Sequence, residues 1–282
     1  MPAPVFHRRG FDTATGSPEV DAAITLCQTP HEWFFKAGAQ VSDPVYAVGD
    51  IHGQLEFLEQ ALSWIESDGG PDAEIVFLGD LVDRGPASRA VIDRLLQGQN
   101  SGRKWRVLKG NHDRLFTRFL DSGTVDDDRI VSGVTWMHPR IGGVATLASY
   151  GISSDAGQPF EQVLNEARQA VPDEHRDFLA NLPTSFERGE LLFVHAGIAP
   201  GVRLADQDED DLIWIRDIFL NDPRSHPWLV VHGHTAIDMP FNYGNRVNLD
   251  GGGGYGRTIF PAVFEGRKCW LLDENGRLPL VP

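Results

Sequence analysis

Val45-Tyr46-Ala47-Val48 runs straight into Gly49-Asp50-Ile51-His52-Gly53, and this junction sets the reading of the whole chain. A short apolar run bounded by turn residues reads as a buried strand. This one stops at two side chains able to bind a cation. The same junction recurs four times. Ile75 to Leu78 leads to Gly79-Asp80-Leu81-Val82-Asp83-Arg84-Gly85, and Trp105 to Leu108 leads to Gly110-Asn111-His112-Asp113. Leu191 to Val194 leads to His195-Ala196-Gly197, and Trp228 to Val231 leads to His232-Gly233-His234-Thr235. Polar residues placed where strands stop meet at one edge of a sheet, where α/β folds bind ligands. Asp50 and His52 sit two apart at a strand end, where alternate side chains point the same way. Asp80 carries two oxygens and can bridge two cations. Oxygen and imidazole donors without thiolates suit Mn²⁺, Fe or Zn²⁺ better than a structural cysteine site.

Between these junctions the periodicity changes. Leu55, Leu58, Leu62 and Ile65 recur at helical spacing within Gln54 to Ser67. Pro86 suits the first position of a second helix, Ala87 to Gln97, where its missing N–H costs nothing. Strand, ligand loop and helix repeat three times, the pattern of a parallel sheet. From Asp121 to Gly189 the chain reads as helical, with Gln158 to Ala170 and Asp173 to Leu182 divided by Pro172. That stretch holds no motif ligand and is expected to form a helical cap at about residues 121–189; Trp136 and His138 within it could reach a cleft. Strands dominate from Arg246 onward, with Thr258 to Glu265 and Lys268 to Asp273 forming a hairpin around Gly266. The four glycines before Tyr255 formally match a dinucleotide fingerprint. They precede a strand instead of opening a helix, so a tight loop near the ligands is the expectation. The pattern alone supports a mixed α/β fold with one catalytic domain over residues 44–282. Residues 1–43 form an N-terminal extension of unknown role, with a short helix expected from Asp21 to Phe35.

A hydrophobic content of 41% over 282 residues is enough for a sizeable core. A net charge of −15 argues against general affinity for nucleic acid, whose phosphates an acidic surface repels. Two cysteines, Cys27 and Cys269, are too few for a disulfide framework. No run approaches the roughly 20 apolar residues of a membrane span, and Met1 to Phe11 holds no apolar stretch of signal-peptide length. A cytoplasmic protein that engages neither membrane nor nucleic acid is the expectation.

From Val45 to about Glu274 the five blocks, in this order, resemble the phosphoprotein phosphatase family of metallophosphoesterases on its bacterial side. The resemblance implies an αββα sandwich of two mixed sheets flanked by helices. It also implies two metal ions, with Mn²⁺ expected. Asp50, His52 and Asp80 would hold the first; Asp80, Asn111, His195 and His234 would hold the second. The family's ligand is the histidine after the glycine, which leaves His232 structural. Ala236 stands where nuclease and nucleotidase branches carry a further histidine, and this places the chain nearer the phosphatases.

Two cations about 3.5–4 Å apart can activate a bridging water for direct attack on phosphorus. By the same resemblance His112 is the general acid for the leaving alkoxide, oriented by Asp83. Arg84 and, on a looser match, Arg216 would bind phosphoryl oxygens with their planar forks; a helix-surface position is the alternative for Arg216. Asp113, where eukaryotic members carry Glu, is shared with bacterial dinucleoside tetraphosphate hydrolases. Those hydrolases tend to replace the residue at Asp83, which this chain keeps. No basic cluster near the motifs is visible to hold a long polyanion. Phosphomonoester hydrolysis, on phosphoserine or phosphothreonine proteins or a small phosphoester, is therefore the expected function. Symmetrical dinucleoside tetraphosphate hydrolysis is the first alternative, and a non-catalytic binding module on the same fold the second.

Overall fold

The structure is a computed structural model, and it describes residues 43–130, 132–154 and 157–282. The expectations for residues 1–43 fall almost wholly outside that range. In chain order the elements begin with β1 (Val45–Val48), α1 (Leu55–Gly69), β2 (Glu74–Phe77), α2 (Ser88–Asn100), β3 (Trp105–Val107) and α3 (Asn111–Ser122). The helices α4 (Gly143–Ser149), α5 (Phe160–Ala170) and α6 (Asp173–Ala180) follow. Next come β4 (Ser185–Arg188), β5 (Leu191–Val194), α7 (Glu209–Trp214), α8 (Asp217–Leu220) and β6 (Leu229–His232). The chain closes with β7 (Phe241–Asn242), β8 (Arg246–Asn248), β9 (Ala262–Glu265), β10 (Lys268–Asp273) and β11 (Gly276–Pro279).

Among the described residues these strands form two mixed sheets. One has the order β11-β10-β9-β1-β2-β3, the other β4-β5-β6-β8-β7. In the first, β1, β2 and β3 are parallel and β9 joins β1 antiparallel. In the second, β5, β6 and β8 are parallel.

Strand parity explains the layering, because successive side chains face opposite sides of a sheet. Val45, Ala47, Val76 and Leu78 meet Leu191, Phe193, Leu229 and Val231 between the two sheets. The alternate residues Tyr46, Val48, Ile75 and Phe77 pack outward against Leu58 and Ile65 of α1 and Val91 of α2. On the other side Leu192, Val194 and Val230 pack against Leu212, Ile213 and Phe219. Strands covered on both faces read as continuous apolar runs, which is why β1 looked uniformly hydrophobic. The result is the expected αββα sandwich.

Element limits differ from expectation in several places, and β4 (Ser185–Arg188) is a strand inside the stretch expected to be helical. Pro86 does not open α2; Ala87 N–H donates to Gly53 C=O at 3.0 Å, holding that segment as a turn until Ser88. Thr258 to Pro261 lie outside β9, because Pro261 has no N–H to give to a ladder. The hairpin around Gly266 forms as expected, with Glu265 opposite Lys268. Helices α4 to α6 pack on α2 and α3. No helix among the described residues is long and apolar enough to cross a membrane.

Candidate metal centre

The carboxyl ends of β1, β2 and β3 deliver Asp50, His52, Asp80, Asn111 and His112. The ends of β5 and β6 deliver His195 and His234 from the second sheet. All seven are buried. Close approach of these loops depends on glycine: a side chain on Gly110 would collide with the Asp80 carboxylate, and one on Gly233 with Asp50. Five non-glycine residues among those described have positive φ, namely His52, Asp80, Asp83, Arg84 and His234. Every one belongs to the ligand loops. Such conformations are held only where surrounding contacts over-determine them, and they concentrate at functional sites.

Asp80 sits at the middle. His52 Nε2 lies 3.5 Å from one of its oxygens and His195 Nε2 3.4 Å from the other. Two groups within coordinating reach share it: His52, Asp80 and His112, and Asp80, His195 and His234. Asp50 joins the first side, 4.0 Å from His52 Nε2, and its carboxylate accepts His234 N–H at 3.1 Å. Burial works to raise Asp80, but His195, His112 and His52 outweigh it and hold the acid well below the usual carboxylate range. Burial, with Asp250 and Asp80 nearby, pushes Asp50 well above that range. A buried carboxylate in that condition requires a proton or a cation.

Proton positions identify the free lone pairs. Burial lowers the pKa of His52, His195 and His234, which favours the neutral imidazole. His52 spends its proton on Val82 C=O at 2.8 Å and His195 spends its own on Leu78 C=O at 2.9 Å. Each therefore turns its Nε2 to the side where Asp80 lies, the His52 nitrogen also meeting Arg84 Nη1, and a backbone carbonyl on Nδ1 is the kind of partner that orients metal-binding histidines. His195 Nε2 also lies 2.9 Å from the amide oxygen of Asn111 and 3.2 Å from His234 Nδ1. An imidazole nitrogen and an amide oxygen that close share either a proton or a cation. His234 Nε2 is buried without a hydrogen-bond partner. The donor set thus fits divalent metal, with Asp80 common to both positions.

His112 Nδ1 donates to Asp83 at 2.7 Å, which turns its Nε2 towards Asp80 and the cleft. Asp83 is fixed by Trp136 Nε1–H at 2.9 Å and by the Thr146 hydroxyl at 2.7 Å. Trp136 therefore acts on the site from behind, fully buried, instead of lining the cleft. His138 accepts a turn N–H from Arg140 and is not among the cleft residues. Arg84 donates to His52 Nε2 at 2.7 Å and to His112 Nε2 at 3.2 Å. Arg216, exposed at the start of α8, lies in the cleft wall and donates to the Thr235 hydroxyl at 2.8 Å. His232 turns elsewhere: its ring meets Phe219 edge-on and its Nε2 accepts from Arg246.

The structure adds residues that sequence reasoning passed over. Arg129 joins Arg84 and Arg216 around a cleft of about 250 Å³, whose apolar wall includes Ile130 and Trp214. The expectation that no basic cluster exists is corrected here: the three arginines come from distant stretches and meet only on folding. Asp113 accepts N–H bonds from Gly110, Asp80 and Leu81 at 2.8 to 2.9 Å, tying the β2 loop to α3. Burial and Asp80 push it up to about 7 against those donors. Asp113→Ala strands three buried N–H groups, each costing roughly 1–3 kcal/mol. Urea titration should show a loss of about 3 kcal/mol or more; an unchanged midpoint would mean that water replaces the carboxylate.

The sequence profile described as Calcineurin-like phosphoesterase matches residues 43–256. The chain belongs to that family. The calcineurin-like phosphoesterases are metal-dependent hydrolases, in keeping with the donor set around Asp80. The chain is 25% identical to the asymmetrical bis(5'-nucleosyl)-tetraphosphatase PrpE of Bacillus subtilis, over 77% of its own length and 90% of that protein. It is 29% identical to the symmetrical bis(5'-nucleosyl)-tetraphosphatase of Janthinobacterium, over 55% of this chain and 44% of the relative. Its fold is similar to that of a cold-active protein-tyrosine phosphatase of Shewanella, with a TM-score of 0.52 at 16% identity, covering 85% of this chain and 81% of the other.

Proposed function

We propose that this calcineurin-like phosphoesterase uses two divalent cations to hydrolyse dinucleoside tetraphosphates. The observation that carries the reading is the convergence of Arg84, Arg129 and Arg216 on one cleft beside the Asp80 cluster. A polyphosphate brings several negative charges, and guanidinium forks match its oxygens. The tetraphosphatase names of the relatives support the same substrate class over the phosphoproteins expected from Asp83 and Ala236. Asp50, His52 and Asp80 would hold one cation; Asp80, Asn111, His195 and His234 would hold the other. Imidazole-rich donors favour Mn²⁺ over Mg²⁺. When bound, such a pair acidifies water and offsets the charge of the phosphoryl group.

The protein's own groups do the rest. Arg84 and Arg216 orient phosphoryl oxygens. His112, with Nδ1–H committed to Asp83, presents Nε2 to the leaving oxygen and manages its proton. One observation favours the second reading, phosphomonoester hydrolysis: the buried Asp83–His112 pair at 2.7 Å is equipment for a strongly basic alkoxide leaving group.

The test compares kcat/KM for diadenosine tetraphosphate with that for a panel of phosphoserine and phosphothreonine peptides, with Mn²⁺ present. The tetraphosphate should lead by roughly ten-fold or more, a margin that several extra charged contacts readily supply. Product analysis then separates symmetric cleavage, which yields two ADP, from asymmetric cleavage, which yields ATP and AMP. Faster turnover of the peptides would return the substrate to the phosphomonoester class.

A further inference from the structure

The glycine-rich loop after β8 has one protruding side chain, and its position is informative. A Cβ on Gly253 would lie 2.7 Å from the Asp50 carbonyl oxygen, and one on Gly254 2.5 Å from the His52 ring and 2.8 Å from Arg84 Nη1. The loop is thus pressed flat against the cluster, and no larger residue fits at either place. Gly252 and Gly256, with φ of 90° and 78°, turn the chain in and out again. Between them Tyr255 stands up. Its ring lies over the Arg84 guanidinium, 5.0 Å from centroid to Cζ, yet 64% of the residue is exposed. The ring meets one face of a guanidinium that lines the cleft and leaves the rest of its surface open to solvent.

We infer that Tyr255 is the stacking platform for a nucleoside base of the substrate, making it a specificity residue of the site. The inference rests on the phosphate-binding role proposed for Arg84. A phosphate held by Arg84 leaves its attached nucleoside beside the ring that covers the same guanidinium. Aromatic side chains hold bases of any identity through their faces, so the platform selects for a nucleoside arm, not for one base.

The test is calorimetric titration of the Mn²⁺-loaded protein with AMP and with ribose 5-phosphate, which carries the same phosphate without a base. The wild type and Tyr255→Phe should bind AMP roughly ten-fold more tightly than ribose 5-phosphate, within the range of one base–aromatic stack. In Tyr255→Ala the two affinities should converge. Equal affinities in the wild type, or a preference for AMP that survives Tyr255→Ala, overturns the inference. The ratio is read from binding, independently of which phosphate bond is cleaved, so it and the tetraphosphate assignment fail separately.

Discussion

Asp80→Asn should empty both cation positions and stop turnover. Asp80 is the one carboxylate shared by the two coordinating groups, 3.5 Å from His52 and 3.4 Å from His195. The amide keeps the shape but loses the charge that offsets two cations in a buried site. Losing a mere hydrogen-bond partner of a ligand typically lowers affinity or activity 10–100-fold. Losing the bridge should exceed that, by roughly 10³-fold or more in kcat/KM on p-nitrophenyl phosphate. Elemental analysis should find two metals per chain in the wild type and less than one in the dialysed variant. Chelation of the wild type should mimic the variant, and Mn²⁺ should restore it better than Mg²⁺. Normal activity in Asp80→Asn would rule out a two-metal centre.

His112→Asn should behave differently. Metal content should change little, while turnover of alkyl phosphates falls roughly 10²–10⁴-fold, the usual contribution of a positioned general acid. The loss should shrink for p-nitrophenyl phosphate, whose leaving group needs no proton. A dinucleoside tetraphosphate expels a nucleotide phosphate of low basicity and should resemble the nitrophenyl ester. Asp83→Asn should reproduce part of the pattern, since Asp83 fixes the imidazole through a 2.7 Å bond to Nδ1. An equal loss across leaving groups would show that His112 serves the metals instead, a role open to it because it falls in one coordinating group with His52 and Asp80.

The ligand loops were legible because each follows a continuous apolar strand, so chemistry and secondary structure coincide within a few residues. The sheets were legible for the same reason: two-sided burial makes β1 and β5 uniformly apolar and β6 apolar up to His232. What supports the ligands was not legible. Thr146 reaches Asp83 across 63 positions and Trp136 across 53, with no local pattern to announce either. Asp113 sits inside a motif, yet its work is to bind backbone N–H groups, which any sequence possesses. Arg129 was hidden by a net charge of −15, because global charge says nothing about which few cations share a cleft. Its side chain is held by Asp210 at 2.9 Å, a partner from the stretch that carries Trp214 and Arg216. Substrate class followed the same division: the phosphoester chemistry was written in the motifs, the cleft that chooses among phosphoesters was not.

The parity of β1 and β2 has a consequence for how such a chain can change over generations. Inserting or deleting one residue in either strand would exchange Val45 and Ala47 with Tyr46 and Val48, burying the wrong set and swinging the following acid off the cluster. Those strands can drift in sequence but not in length. The segment between the end of α3 and the start of β4 is under no such ruler: it supplies Arg129, Ile130 and the props behind Asp83, but no member of the seven-residue cluster. New substrates can therefore be acquired by lengthening, trimming or replacing that segment, while the inherited chemistry travels unaltered on the sheets.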